Sequence, residues 1–280
     1  MKVGIFNNTG IKARHYGSVL TCMMFEKVFS KQAEIVFFAN TSDEYAYSRI
    51  PDVDAIVING EGSFHSCRLT SMVLYHILYR AKFHGKKCYL VNCTLDKIPD
   101  FYYLDDFDYI YTREPFSYKL AKEHTDKVKL VADICFLYSP KLYKSNSEGI
   151  LVLDHVDDSK TGELRQFADT NEYDFDSMIA ENVDEKKILA FFQKMNRYDF
   201  IATGRYHGAV FSVMLGKPFS GLTSNTWKIE SFMDMLGLSK RATNRVNKLV
   251  RKKDNIYKYE YNSFVDKSKI EREYKQLCEL

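Results

Sequence analysis

The 280-residue chain is expected to be an α/β protein of two halves, each a parallel sheet with crossover helices, followed by a helical tail. Three observations predict this. Short apolar runs alternate with longer stretches of helical period. Residues 139–149 (SPKLYKSNSEG) break the alternation with Pro, Ser, Asn and Gly. The alternation then resumes in a shorter second series.

In the first half, strands are expected at 2–6, 34–39, 54–59, 87–92, 108–112 and 128–133, each a short apolar run bounded by polar or turn residues. Helices are expected at 17–30, after Gly17-Ser18, and at 67–84, where Leu69, Met72, Val73, Ile77 and Leu78 are spaced for one face. A third, at 115–124, has Pro115 at its first position. The second half reads strand 149–154, helix 184–196, strand 199–203, helix 206–215, strand 218–222 and helix 227–237. The polar stretch 157–177 carries no assignable motif, and FVDKSKIEREYKQLCEL (264–280) fits a closing helix. The expected domains are therefore 1–140 and 149–240, with a basic segment and closing helix over 241–280. Two Rossmann-like halves with a tail helix resemble the GT-B-like arrangement, in which a cleft lies between the halves.

Composition narrows the function. With 45% hydrophobic and 28% charged residues, 13 Gly and 5 Pro, the chain is neither disordered nor fibrous. A net charge of +3 is too small for a protein that wraps a nucleic-acid backbone, so no nucleic-acid partner is expected. The charge is unevenly placed: residues 240–280 hold 12 Lys/Arg against 6 Asp/Glu. Six Cys without a CxxC pair point to a reducing, cytoplasmic setting. The apolar run at the N-terminus is too short for a signal peptide, and no window approaches 18 apolar residues. The 7 His are scattered without HExxH or paired His-carboxylate spacing, so no metal is expected; no cofactor is expected either.

In open α/β sheets ligands sit beyond the carboxyl ends of the strands, and four such ends here carry unusual residues. NNTGIKARHYGS (7–18) follows the first strand, where Asn8 and Gly10 are candidate ligand contacts and Gly17-Ser18 can open a helix toward an anion. NGEGSFHS (59–66) offers Gly60, Glu61, Gly62 and Ser63, a turn whose backbone can approach a ligand closely, with Glu61 and His65 titratable. TREPFS (112–117) puts Arg113 between a strand and a helix start, suited to a bidentate anion contact, with a surface ion pair as the competing account. The richest end is 200–230, where Arg205 and His207 stand on the lip of an apolar helix and Asn225 and Lys228 open the next one. An Arg two residues from a His combines an anion clamp with a group that moves protons near neutral pH.

These residues resemble the polysaccharide pyruvyl transferase family. Gly204-Arg205-Tyr206-His207 before an apolar helix, Gly216-Lys217-Pro218, Asn225 to Lys228 and Leu236-Gly237-Leu238 look like its C-terminal signature. NGEGSFH, the REPFS motif with Arg113 and Ser117, and VADICF (131–136) match its N-terminal half in order, so the resemblance covers roughly 1–240. It implies transfer of a pyruvyl group from phosphoenolpyruvate to two hydroxyls of a sugar, forming a ketal and releasing phosphate. Arg113 and Arg205 would hold the donor's phosphate and carboxylate, His207 would be the general acid, and Lys228 would assist with donor charge. Many members carry Gly-Asp at the first strand–helix turn; here Gly10 precedes Ile11, so that acid is absent or supplied elsewhere.

The chemistry gives these residues a reason. Phosphoenolpyruvate carries a carboxylate and a phosphate on adjacent atoms, which calls for several cations, and ketal formation needs a proton at the methylene carbon. The family's acceptors are often lipid-linked, which would place the protein peripherally on an anionic cytoplasmic membrane face. KRATNRVNKLVRKK (240–253), with seven Lys/Arg and no acid, is the segment expected to touch it. Two other readings stay open: a GT-B-type glycosyltransferase using a nucleotide-sugar, with Asp154 or Asp157 holding a ribose, and a non-catalytic sugar-binding protein.

Overall fold

The computed structural model describes residues 1–10, 14–65, 69–99, 103–143, 146–250 and 265–279. The chain divides into two compact units. The first comprises Met1–Ile11, Thr21–Leu137 and Lys267–Leu280; the second comprises Lys12–Leu20 and Tyr138–Asp266.

In chain order the first part of the sequence forms β1 (Lys2–Phe6), α1 (Tyr16–Phe29), β2 (Glu34–Ala39), α2 (Glu44–Ser48), β3 (Ala55–Glu61), α3 (Leu69–Phe83), β4 (Lys87–Cys93), β5 (Tyr109–Thr112), α4 (Pro115–Lys122) and β6 (Val128–Leu130). The six strands make one sheet in the order β2-β1-β3-β4-β5-β6, and every pairing is parallel. Runs such as AIVINGE in β3 are buried along their whole length, as a parallel sheet covered on both faces requires. Helix α4 starts where it does because Pro115 suits its first turn and the Glu114 carboxylate accepts from the amides of Phe116 and Ser117.

Three details differ from the sequence reading. β3 runs on to Glu61. β6 stops at Leu130, and 131–133 lead instead into a 3₁₀ turn at Ile134–Leu137. In α3 the buried residues are Ser71, Leu74, Tyr75, Ile77, Leu78 and Ala81, whereas Leu69 and Met72 point outward.

The second unit contains β7 (Ile150–His155), α5 (Asp158–Thr170), β8 (Asp174–Asp176), α6 (Glu185–Met195), β9 (Phe200–Gly204), α7 (Tyr206–Met214), β10 (Phe219–Leu222), α8 (Lys228–Met235) and β11 (Ala242–Thr243). Its sheet is also parallel, in the order β11-β10-β9-β7-β8. The stretch 157–177 thus holds a helix, capped by Asp157 on the Ser159 amide at 2.8 Å, and a short strand. Residues 14–16 join this unit by backbone bonds: Tyr16 N–H to Met178 O at 3.0 Å and Ala180 N–H to Arg14 O at 2.7 Å. Tyr16 also stacks on Phe191 of α6, ring centroids 4.3 Å apart.

Of the basic segment 240–253, residues 251–253 lie outside the described residues. The rest forms 3₁₀ turns at Ser239–Arg241 and Val246–Lys248 around β11, with Leu249 buried. The closing helix is α9 (Lys267–Glu279), which belongs to the first unit. It buries Ile270, Tyr274 and Leu277, and the Tyr274 ring lies 5.9 Å from Phe25, 6.0 Å from Phe29 and 5.9 Å from Tyr111. Lys129 and Glu273 add an ion pair at 2.7 Å.

Candidate active site

Both sheets share one topology: the strand order reverses between the first strand and the third, at β1/β3 in the first unit and at β7/β9 in the second. At such a switch point the flanking loops leave in opposite directions and open a crevice beyond the strand ends. Most of the residues singled out from the sequence fall at these two places.

In the first unit the β1 and β3 ends are laced together. Asn7 Nδ2 donates to Asn59 O at 2.6 Å, and Asn59 Nδ2 donates to Asn7 O at 3.3 Å and to Glu61 Oε1 at 3.1 Å. Thr9 Oγ1 also donates to Glu61 Oε1, and Gly10 N–H donates to Asn8 Oδ1 at 3.1 Å. Asn7 and Glu61 adopt positive φ, 66° and 35°, so both loops turn sharply at the strand ends. Gly60 has no room for a side chain: a Cβ there would stand 2.3 Å from Cys93 Cβ. Gly62 and Ser63 follow in the same turn, Ser63 N–H donating to Gly60 O at 2.9 Å. Asn59 Oδ1 is buried and has no hydrogen-bond partner among the described residues.

Arg113 sits apart from this lacing. It is buried at the end of β5, Nη1 donating to Asp133 Oδ2 at 2.9 Å and Nε to Thr94 Oγ1 at 3.1 Å. Arg113 does form an ion pair, but in the interior rather than at the surface. Asp133 also accepts from the Cys135 amide at 3.0 Å, and Asn92 Oδ1 accepts from the Ile134 amide at 3.1 Å, which anchors the segment after β6.

The second switch point is cationic. Asp154, at the end of β7, accepts from Arg205 Nη2 at 2.8 Å and from Ser177 Oγ at 2.9 Å on one oxygen, and from the Met178 amide at 2.9 Å on the other. Arg205 is the N-cap of α7 and is fixed through its backbone by Thr203, whose hydroxyl accepts from the Arg205 amide at 3.0 Å. Its Nε is buried and has no partner among the described residues, so a fork oriented by Asp154 keeps a donor in reserve. His207 follows in the first turn of α7, and Lys228 opens α8 with Nζ 2.8 Å from Asn225 Oδ1. Arg205 and Lys228 thus stand at two helix N-termini, whose amides also attract negative charge.

Two further histidines complete this region. His15 Nδ1 accepts from the amides of Gly17 at 3.1 Å and Ser18 at 3.3 Å, capping α1, and its ring lies 5.5 Å from that of His207. Burial, then His207, Arg205 and Lys228, hold its pKa well below the usual histidine value, with Asp154 opposing. His15 is therefore a neutral ring with its proton on Nε2. Gly17 lies against the His207 ring so closely that a Cβ would come within 2.1 Å of Cγ. His155 accepts from the Asp157 amide on Nδ1 at 2.9 Å and pairs Nε2 with Thr223 O at 3.0 Å. Burial lowers its pKa as well, against the Thr223 bond.

The structure therefore brings Arg205, His207, Lys228 and Asn225 to one switch point and Asn8, Gly10, Gly60, Glu61, Gly62 and Ser63 to the other. His15, His155, Thr203 and Ser177 were not singled out from the sequence. The ribose-holding role open to Asp154 or Asp157 does not suit either: both oxygens of Asp154 are engaged by the protein, and Asp157 caps α5.

Two parallel α/β sheets with such switch points define a GT-B-like fold, and solved structures match most or all of the chain. UDP-GlcNAc 2-epimerase from Methanocaldococcus jannaschii is 10% identical, with a TM-score of 0.55 and 100% of each chain covered. MnaA from S. aureus, solved with UDP, is 12% identical at a TM-score of 0.53, covering 99% of this chain and 90% of that one. A functionally uncharacterised protein from Klebsiella pneumoniae is 13% identical at 0.55, covering 87% and 93%. These likenesses concern the fold. A search of curated proteins found no match. The family model for polysaccharide pyruvyl transferase matches residues 15–226, so the chain belongs to that family and is a transferase.

Proposed function

We propose that the protein transfers the pyruvyl group of phosphoenolpyruvate to two hydroxyls of a saccharide, as a cyclic ketal, with release of phosphate. The observation that carries this reading is the second switch point. There Arg205, oriented by Asp154 and holding a buried, unpartnered Nε, stands beside His207 and near Lys228 at paired helix N-termini. A ligand with carboxylate and phosphate on neighbouring atoms suits two cations and two sets of amides.

In this reading Arg205 and Lys228 bind the donor's anionic groups. His207 delivers a proton to the methylene carbon, leaving an oxocarbenium-like centre that one acceptor hydroxyl attacks. That hydroxyl's proton restores the acid. The carbon–oxygen bond to phosphate then breaks, the second hydroxyl closes the ketal, and its proton leaves with phosphate. Neutral His15 serves this cycle because a protonated His207 then faces an uncharged ring. The first switch point, with Asn8, Gly10, Glu61 and Ser63, is assigned to polar contacts with substrate. We further place the protein on the cytoplasmic side, acting on a lipid-linked acceptor; among the described residues no helix is long and apolar enough to cross a membrane.

The test is to incubate the protein with phosphoenolpyruvate and galactose, mannose or N-acetylhexosamine acceptors. Acceptor-dependent phosphate release with a mass gain on the sugar supports the proposal. Turnover of a nucleotide-sugar with no use of phosphoenolpyruvate refutes it.

A further inference from the structure

Helix α3 carries a stripe that its own unit does not cover. Leu69, Met72, His76, Tyr79 and Phe83 recur at three- and four-residue intervals and share one face of this 15-residue helix, spanning about 21 Å. Leu69 is 77% exposed, Met72 47%, Tyr79 48% and Phe83 79%, and His76 is exposed too. A contiguous apolar stripe of this kind marks a contact surface.

Charge identifies the occupant. From residue 62 to residue 95 there are five Lys/Arg and no Asp or Glu. Arg80 and Lys82 flank the apolar end at Tyr79 and Phe83, where the four residues line a surface hollow, and Lys86 and Lys87 follow directly. Among the described residues, Asp108 pairs with Lys82 at 3.1 Å, and Asp106 accepts weakly from Tyr75 Oη at 3.4 Å. A second copy of the chain would bring the same acid-free helix to this face, setting Arg80 and Lys86 against bases of the same kind. A layer of anionic headgroups over acyl chains supplies both complements, and aromatic residues with adjacent bases suit the depth of that boundary.

We propose that α3 docks the protein on an anionic lipid surface, lying in the interface plane with Phe83, Tyr79, Met72 and Leu69 inward and Arg80, Lys86 and Lys87 at the headgroups. The proposal is independent of the reaction assigned above, and it locates membrane contact on α3 rather than on 240–253.

The experiment is sedimentation of the full chain with phosphatidylglycerol–phosphatidylcholine vesicles at low and high salt. Wild type should partition onto anionic vesicles and release with salt. Leu69→Asp/Phe83→Asp should lower partitioning at least about tenfold, and Arg80→Glu or Lys86→Glu about fivefold or more each, while Tm and the far-UV spectrum stay as in wild type. Lys240→Glu/Arg241→Glu should leave partitioning unchanged. Phe83→Trp should show a blue-shifted emission on anionic vesicles. Absence of binding, or binding that survives the α3 variants or is lost in the 240–241 variant, overturns the proposal. So does a concentration-dependent dimer in sedimentation velocity that the Phe83 variant dissolves.

Discussion

Replacing Gly17 by Ala adds one methyl carbon at a place where the structure has none to give. The new Cβ would lie 2.1 Å from His207 Cγ, 2.2 Å from Nδ1 and 2.5 Å from Cβ, against a comfortable carbon contact of about 3.5 Å. An overlap of about 1.4 Å must be relieved by rotating the His207 ring or by lifting residues 14–18. Lifting would strain the Tyr16–Met178 and Ala180–Arg14 backbone bonds and the Tyr16–Phe191 stack. Overpacking of this kind costs about 1–3 kcal/mol of stability. In the role proposed for His207, that of an acid meeting a carbon atom, a displacement of about 1 Å costs about 10²-fold in rate. Urea unfolding and acceptor-dependent phosphate release measured on the same preparation therefore should both fall, turnover far more than stability. A Gly17→Ala protein with wild-type turnover and midpoint would show that His207 is not held by this contact, and the placement of the acid would have to be abandoned.

Arg113→Met should cost about 3–5 kcal/mol in urea unfolding, because it strands Asp133 in the interior, and Arg113→Met/Asp133→Asn should recover part of that loss. An unchanged midpoint in the single variant would deny the pair any structural weight. Tyr274→Ala should destabilise by about 3–5 kcal/mol, since the ring is fully enclosed by Phe25, Phe29 and Tyr111; a loss below about 1 kcal/mol would contradict that packing. His15 and His155 are both held neutral in the folded state, with pKa values below the ordinary 6.5, so the unfolded chain takes up protons first. Their contribution is complete above about pH 6.5 and is lost as the pH falls below it; Tm should drop from pH 7.5 to 5.5, and His15→Gln/His155→Gln should flatten that slope. An equal slope in the double variant would assign the acid sensitivity elsewhere.

The strands could be read because a parallel strand covered on both faces leaves an unbroken apolar run, as in AIVI and ILVL, bounded by residues that turn. Helix α5 escaped because it buries little more than Leu164 and Ala168 and is otherwise polar, too thin a stripe to register as a period. β8 is three residues long, two of them Asp. The outward position of Leu69 and Met72 was hidden for the opposite reason: apolar period reports a stripe without saying whether anything covers it. Arg205, His207 and Lys228 could be found because a strand end and a helix start adjoin in sequence. His15 could not, since its significance lies in meeting residues about 190 positions away. Asp154 was noticed, but only coordinates show that its partner is Arg205.

Helix α9 completes the unit that β1 begins, though a whole second unit is encoded between them. On the ribosome the aromatic pocket of Phe25, Phe29 and Tyr111 is therefore made long before Tyr274 exists to fill it. Domains that emerge first usually fold first; here the earlier sheet must wait with an open apolar side while the later one is synthesised. The interval between those events is when the nascent chain is most exposed to chaperones and to aggregation. A stalled chain released before residue 267 should be protease-sensitive in its first half, whatever the state of its second.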